Sequence, residues 1–140
     1  MRNQKSVRVI FDTNIWISFL IGKRLGFIKD YIADKRIKII FTQTLLDEIK
    51  LVTLHPKFSK YFPEEKVDEL IKLLKTVGEN INIKPKNYFS KDPKDSFLLD
   101  LIEFSKADYL VTGDYDLIEL EKFKTAKFVS AANFEKELKQ

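Results

Sequence analysis

The sequence predicts an α/β fold: a parallel sheet of about five strands covered by helices on both faces, a three-layer α/β/α arrangement. Three observations lead there. Short apolar runs alternate with helical stretches from end to end. The length of 140 residues fits one domain, 1–140, without a linker or internal repeat. The hydrophobic fraction of 44%, with 12 Phe and 5 Tyr, can fill a core, and 4 Gly and 4 Pro are too few for a disordered or fibrous chain.

Taken in order, Val7–Phe11 is apolar and short, as a buried strand should be. The run Ile15–Ile21 is too apolar for a surface element and reads as a helix packed on the sheet, although period alone does not separate helix from strand there. Gly22–Gly26 reads as a loop, Phe27–Ala33 as a short helix and Ile37–Phe41 as the second strand. Thr42 or Thr44 caps a helix to about Leu54, with Leu45, Ile49 and Val52 on one face, and His55-Pro56 ends it. Pro63-Glu64-Glu65 opens an amphipathic helix in which Val67, Leu70, Ile71, Leu74 and Val77 follow the helical period, with Gly78 as terminator. Ile81–Ile83 reads as a short strand. Asp92-Pro93 starts a helix to about Ser105, with Phe97, Leu98, Leu101 and Ile102 inward. Tyr109–Thr112 is a strand, Leu117–Leu120 a short helix, and Lys127–Val129 the last strand. Ser130 caps a closing helix, Ala131–Lys139. Trp16, among apolar neighbours, belongs to the core, and His55 to the surface.

In such a sheet ligands bind along the edge formed by the carboxyl ends of the strands, where strand order reverses. Asp12 and Asp114 each follow a strand, and Glu48 and Asp95 lie near the starts of helices that leave the same edge. Asp116 is two residues past Asp114. Carboxylate oxygens are the preferred ligands of Mg2+ and Mn2+. Acids crowded in one pocket repel one another until a cation neutralises them. One or two such ions can bridge a phosphodiester and activate a water. Thr13, Asn14 and Thr112 add short polar groups able to orient carboxylates. Each residue alone also has a plainer reading. Asp12, Asp114 and Asp116 suit turns and caps, Glu48 a solvated helix face, Asp92 a cap ahead of Pro93, and Asp95 the same helix dipole. The joint arrangement argues for a site.

Composition narrows the chemistry. There is no Cys and only one His, which removes disulfides, thiol catalysis and His-rich metal sites, and leaves little room for a Ser-His-Asp triad. No run of about 18 apolar residues exists, and the N-terminus lacks the pattern of a signal peptide. The expectation is a cytoplasmic protein without a membrane partner. The net charge is +4, but with the five candidate acids set aside it becomes 25 basic against 16 acidic residues, +9. A basic body around an acidic pocket suits a polyanion bridged by metal. Lysine pairs beside loops, Lys57/Lys60 and Lys84/Lys86 among them, could line a nucleic-acid path, with solvated surface as the alternative.

At this point the chain resembles the PIN domain, and within it the toxin components (VapC-like) of toxin–antitoxin modules. The resemblance is carried by Val9-Ile10-Phe11-Asp12-Thr13-Asn14, by Glu48 in its helix, by Asp92-Pro93-Lys94-Asp95 before an apolar helix, and by Ala107 to Leu117 with Thr112-Gly113-Asp114-Tyr115-Asp116. It implies a Mg2+- or Mn2+-dependent ribonuclease with Asp12, Glu48, Asp95 and Asp114 as the acidic quartet. Asp116 would be an auxiliary acid, and Asn14 and Thr112 supporting residues. The family pattern favours Asp95 over Asp92. It also implies an RNA substrate and a small antitoxin that blocks the site. The amphipathic helices Phe27–Ala33 and Pro63–Val77 could form a groove beside the site where a partner helix docks, with core packing as their default role. A homodimer stays open. A stand-alone ribonuclease shares every site residue. A non-catalytic nucleic-acid-binding module would leave the acids as helix caps. A phosphatase with an Asp nucleophile would want a second Asp two residues on, where this chain has Asn14.

Overall fold

Val9, Ile10 and Phe11 are all fully buried. Consecutive strand residues point to opposite faces, so the strand that carries them, β1 (Val7–Phe11), must be covered on both sides. It lies inside a six-stranded sheet in a computed structural model that describes residues 6–22, 25–83 and 93–139, with the side chains of 25–27 and 93–96 outside the description. The other strands are β2 (Ile37–Phe41), β3 (Glu79–Asn80), β4 (Tyr109–Val111), β5 (Lys122–Phe123) and β6 (Ala126–Val129). Their order is β3-β2-β1-β4-β6-β5. All neighbours are parallel except β5, which runs antiparallel to β6.

The helices are α1 (Thr13–Ile21), α2 (Leu25–Ala33), α3 (Gln43–Thr53), α4 (Glu64–Val77), α5 (Pro93–Ser105), α6 (Tyr115–Glu119) and α7 (Ala131–Leu138), with a 3-10 turn at Ser59–Tyr61. One face of the sheet offers Val9, Phe11, Ile39, Phe41, Val111 and Val129 to Trp16, Phe19, Ile49, Leu70 and Phe134. The rings of Trp16, Phe19 and Phe134 lie 4.8, 5.6 and 5.8 Å from that of Phe11. The opposite face offers Ile10, Ile40, Leu110 and Phe128 to Leu98, Leu101, Ile102 and Leu117. The result is the expected three-layer α/β/α fold. Each fully buried side chain of this size contributes about 1.5–3 kcal/mol, so the two cores hold the sheet from both sides.

The capping expectations hold at two helices. Thr42 accepts a hydrogen bond from the Leu45 amide at 3.1 Å, and Ser130 one from the Asn133 amide at 3.1 Å. Asp92, like Lys23, Arg24, Lys84, Lys86 and Lys91, lies outside the described residues.

Four details differ from the sequence reading. The loop after α1 is shorter, because α2 begins at Leu25 and takes Gly26 into its first turn; one glycine there costs only about 1 kcal/mol. The strand expected at Ile81–Ile83 falls at Glu79–Asn80 instead, paired with Ile40 and Phe41. β2 ends at Phe41 and Thr42 caps the next helix, so after Ile81 donates to the Phe41 carbonyl at 2.9 Å the chain has no further β2 backbone to pair with. Gly78 ends α4 in an extended conformation, φ −84° and ψ 165°, not a left-handed one. Its role is closeness: a Cβ there would meet the Leu74 carbonyl oxygen at 2.6 Å and the Phe41 ring at 2.8 Å. Finally, β5 was unforeseen and makes the sheet edge antiparallel. No helix among the described residues is long and apolar enough to cross a membrane.

Candidate active site

The pairing of β1 with β4 sets Phe11 opposite Val111. The next residues, Asp12 and Thr112, therefore leave the sheet side by side. The chain passes from β1 to β2 on one flank and reaches β4 on the other, so this is where strand order reverses. The Asp12 amide donates to the Val111 carbonyl at 3.0 Å and the Thr112 amide to the Val129 carbonyl at 3.0 Å. The backbone of both residues is thus fixed before any side chain acts.

Thr112 is fully buried. Its hydroxyl donates to Asp12 Oδ2 at 2.9 Å and accepts from the Asp114 amide at 3.1 Å. A hydroxyl has one proton to give and lone pairs to receive, and here both functions are used. One side chain thereby ties the acid after β1 to the backbone of the acid after β4. Asp12 occupies the cap position of α1, but its side chain makes no capping hydrogen bond. The plainer reading of Asp12 as a helix cap holds for its position but not for its carboxylate. For Asp114 it holds: Oδ1 accepts from the Asp116 amide at 2.9 Å and caps α6. A carboxylate has two oxygens, so capping with one is compatible with a second task.

Glu48 sits one and a half turns into α3, half-buried. Its Oε2 accepts from the Thr13 hydroxyl at 2.7 Å. Thr13 is the first residue of α1 and only 5% exposed. A buried hydroxyl that directly follows Asp12 in sequence thus orients the acid supplied by a different helix. Asn14 and the Asp116 side chain are exposed beside these groups. Asp95 lies in the first turn of α5, and its side chain is outside the described residues. Asp100, further along α5, is buried at 4% exposure, an acid that sequence reasoning passed over.

The arrangement joins Asp12 to Asp114 through Thr112, and Thr13 to Glu48. Among the described residues no three acidic or imidazole side chains form a group able to hold a metal ion. The expected close crowding of acids is therefore not realised among those residues. The acids at this edge offer oxygen donors alone, the ligand type that a hard divalent cation such as Mg2+ or Mn2+ prefers. Sequence reasoning gave Thr13 and Thr112 a supporting part but missed that Thr112 bridges two strands. Its one signal is position, at the end of β4 and two residues ahead of Asp114.

The PIN domain family model matches residues 8–116, a stretch that runs from β1 to Asp116 and spans every candidate acid. The chain is also similar to the uncharacterized protein MJ1680 of Methanocaldococcus jannaschii. The two are 33% identical over 119 residues, which cover 81% of this chain and 75% of that protein.

Proposed function

This chain belongs to the PIN domain family, whose members are generally nucleases, and on that premise we propose that it is a Mg2+- or Mn2+-dependent endoribonuclease. The observation that carries the proposal is the Thr112 hydroxyl, which is buried, donates to Asp12 and receives the Asp114 amide. A fold needs no such bridge to cap α6. It ties the Asp12 carboxylate to the backbone of Asp114 at the sheet edge where ligands bind.

In this reading Asp12, Glu48, Asp95 and Asp114 hold the cation, and Asp116 is an auxiliary acid. A cation held by these residues would supply Lewis-acid polarisation of a phosphodiester and a lowered pKa for the attacking water. The chain's own part is orientation. Thr112 fixes the Asp12 carboxylate, Thr13 fixes that of Glu48, and Asn14 is placed to meet substrate or water at the exposed rim.

The finer role in this proposal is the toxin of a two-component module. Its antitoxin would dock between α2 and α4 and reach a basic side chain to the acids, replacing the cation. A Lys29–Glu69 ion pair joins those two helices. Co-purification with the product of the adjacent reading frame tests this part. An inactive complex supports the toxin reading; no complex, or one as active as the free chain, leaves a stand-alone ribonuclease.

The nuclease proposal itself is tested by incubating purified protein with single-stranded RNA in Mn2+ or EDTA, beside Asp12→Asn made the same way. Cleavage by wild type in Mn2+ alone is expected. Equal cleavage by both proteins would remove the carboxylate site.

A further inference from the structure

Past the site, α3 runs out into a segment of unusual surface. Leu51 is 76% exposed, Leu54 66%, Tyr61 52% and Phe58 38%. Large apolar groups in such density on a surface mark an interaction site. The charge around them has one sign. From Ile49 to Pro63 the sequence holds Lys50, Lys57 and Lys60 and no acid; Glu48 and Glu64 bound the stretch. The lysines stand over the rings: Lys57 Nζ is 5.7 Å from the Phe58 centroid and Lys60 Nζ 5.1 Å from that of Tyr61. The His55 ring lies 5.6 Å from Phe58.

We propose that the segment His55–Tyr61 is a landing platform for single-stranded RNA on its way to the acidic site. Bases stack on Phe58 and Tyr61, and the flanking phosphates meet Lys57 and Lys60. The alternation of exposed ring and cation is what a single strand requires, because every base has a face to stack and every linkage a charge. An exposed cation–π contact is worth less than a base–aromatic stack, so an arriving base displaces the ammonium from the ring toward the phosphate. Helix geometry connects platform and site: Glu48 and Leu54 are on the same helix, about 9 Å apart along its axis. A second copy of the chain suits the patch less well, since a two-fold contact would bring the same lysines face to face. The inference rests on the nuclease reading for its purpose, though not for the binding itself.

The test is fluorescence anisotropy with a labelled oligouridylate in EDTA, so that no cleavage occurs. The double variant Phe58→Leu with Tyr61→Leu keeps apolar bulk and removes the rings. Its affinity should fall at least about tenfold, while its melting curve stays close to wild type. Lys57→Gln with Lys60→Gln should lower the slope of log affinity against log salt by roughly 1.4. Unchanged affinity in the ring variant overturns the proposal. So does a wild type that sediments as a dimer and becomes monomeric on Leu51→Ser with Leu54→Ser, which would make the patch an interface between copies. The two readings fail separately. Ring-dependent binding without cleavage in Mn2+ keeps the platform and removes the nuclease. Cleavage indifferent to the rings does the reverse.

Discussion

The two ends of the β1–β4 pair hold their acids in different ways. At the amino end Arg8 is enclosed. Its guanidinium pairs with Glu79, its Nε donates to the Ser105 carbonyl at 3.0 Å, and its amide donates to Asp108 Oδ2 at 2.8 Å. The Asp108 amide returns a bond to the Arg8 carbonyl at 2.7 Å. The hydrogen bond from Arg8 holds the Glu79 carboxyl below its ordinary value of 4.5, against a smaller opposing effect of burial. At the carboxyl end Asp12 and Glu48 are gripped by threonine hydroxyls and Asp114 by a backbone amide. A guanidinium cancels the charge of the acid it binds, whereas a hydroxyl or amide only orients it. The difference teaches that one end of the sheet uses charge to fasten elements together. At the other, two hydroxyls and an amide orient the carboxylates of Asp12, Glu48 and Asp114.

The comparison breaks first on the acids of the carboxyl end. Asp12→Asn and Asp114→Asn should each lower RNA cleavage on the order of a thousandfold. Both should melt at or slightly above the wild-type temperature, because Asn still accepts from Thr112 and still caps α6. A variant with wild-type turnover removes that residue from the site.

Thr112→Val sharpens it. The shape is kept and the hydroxyl lost, so Asp12 loses a donor and the Asp114 amide an acceptor. Activity should fall roughly 10–100-fold and stability by about 1–2 kcal/mol. Thr112→Ser should recover most of the activity. Equal activity in the valine and serine variants would show that the bridge has no part in cleavage.

At the amino end the pattern should invert. Arg8→Met should cost about 1 kcal/mol of stability in denaturant melts, in line with a partly exposed ion pair, and leave cleavage within roughly twofold of wild type. A large loss of activity there would erase the division between the two ends.

The smallest effect is one of pH. Glu79 has a lowered folded pKa, so its contribution is present above the unfolded value near 4.5 and is lost as pH falls through the folded value. Glu79→Gln should therefore flatten the acid limb of the stability curve below about pH 4.5, by less than about 1 kcal/mol because the pair is a third exposed. An unchanged acid limb would mean that the pair contributes nothing measurable.

How much of this was legible depended on how local the cause was. β1 and β2 were visible because Val7–Phe11 and Ile37–Phe41 are uninterrupted apolar runs, and the cores on their two faces follow from that. Thr42 and Ser130 were visible as caps because capping is decided within three residues. The hairpin of β5 and β6 was hidden. Its turn is Lys124-Thr125, and Lys124 takes the left-handed φ of 54° that usually announces itself as Gly or Asn. Helix ends blurred for the same reason, since Lys106 and Glu121 adopt positive φ after α5 and α6. At the sheet edge, Asp12 and Asp114 stand out because each directly or nearly follows a strand. The pairing of Thr13 with Glu48, 35 residues away, depends on how α1 packs on α3 and has no local signature. The rings of Phe58 and Tyr61 stand beside Lys57 and Lys60 in the sequence, but apolar residues there do not by themselves signal exposure.

The proposed function requires a divalent cation at the carboxyl edge of the sheet. Its most direct measurement is the melting temperature of metal-free wild type and Asp12→Asn as Mn2+ is raised to millimolar concentrations. A ligand that binds only the folded state stabilises it by mass action, by about 2.7 kcal/mol at a hundredfold excess over its dissociation constant. The wild type should gain several degrees, EDTA should reverse the gain, and Asp12→Asn should gain little. A wild type indifferent to Mn2+, or a variant that gains as much, would contradict the claim.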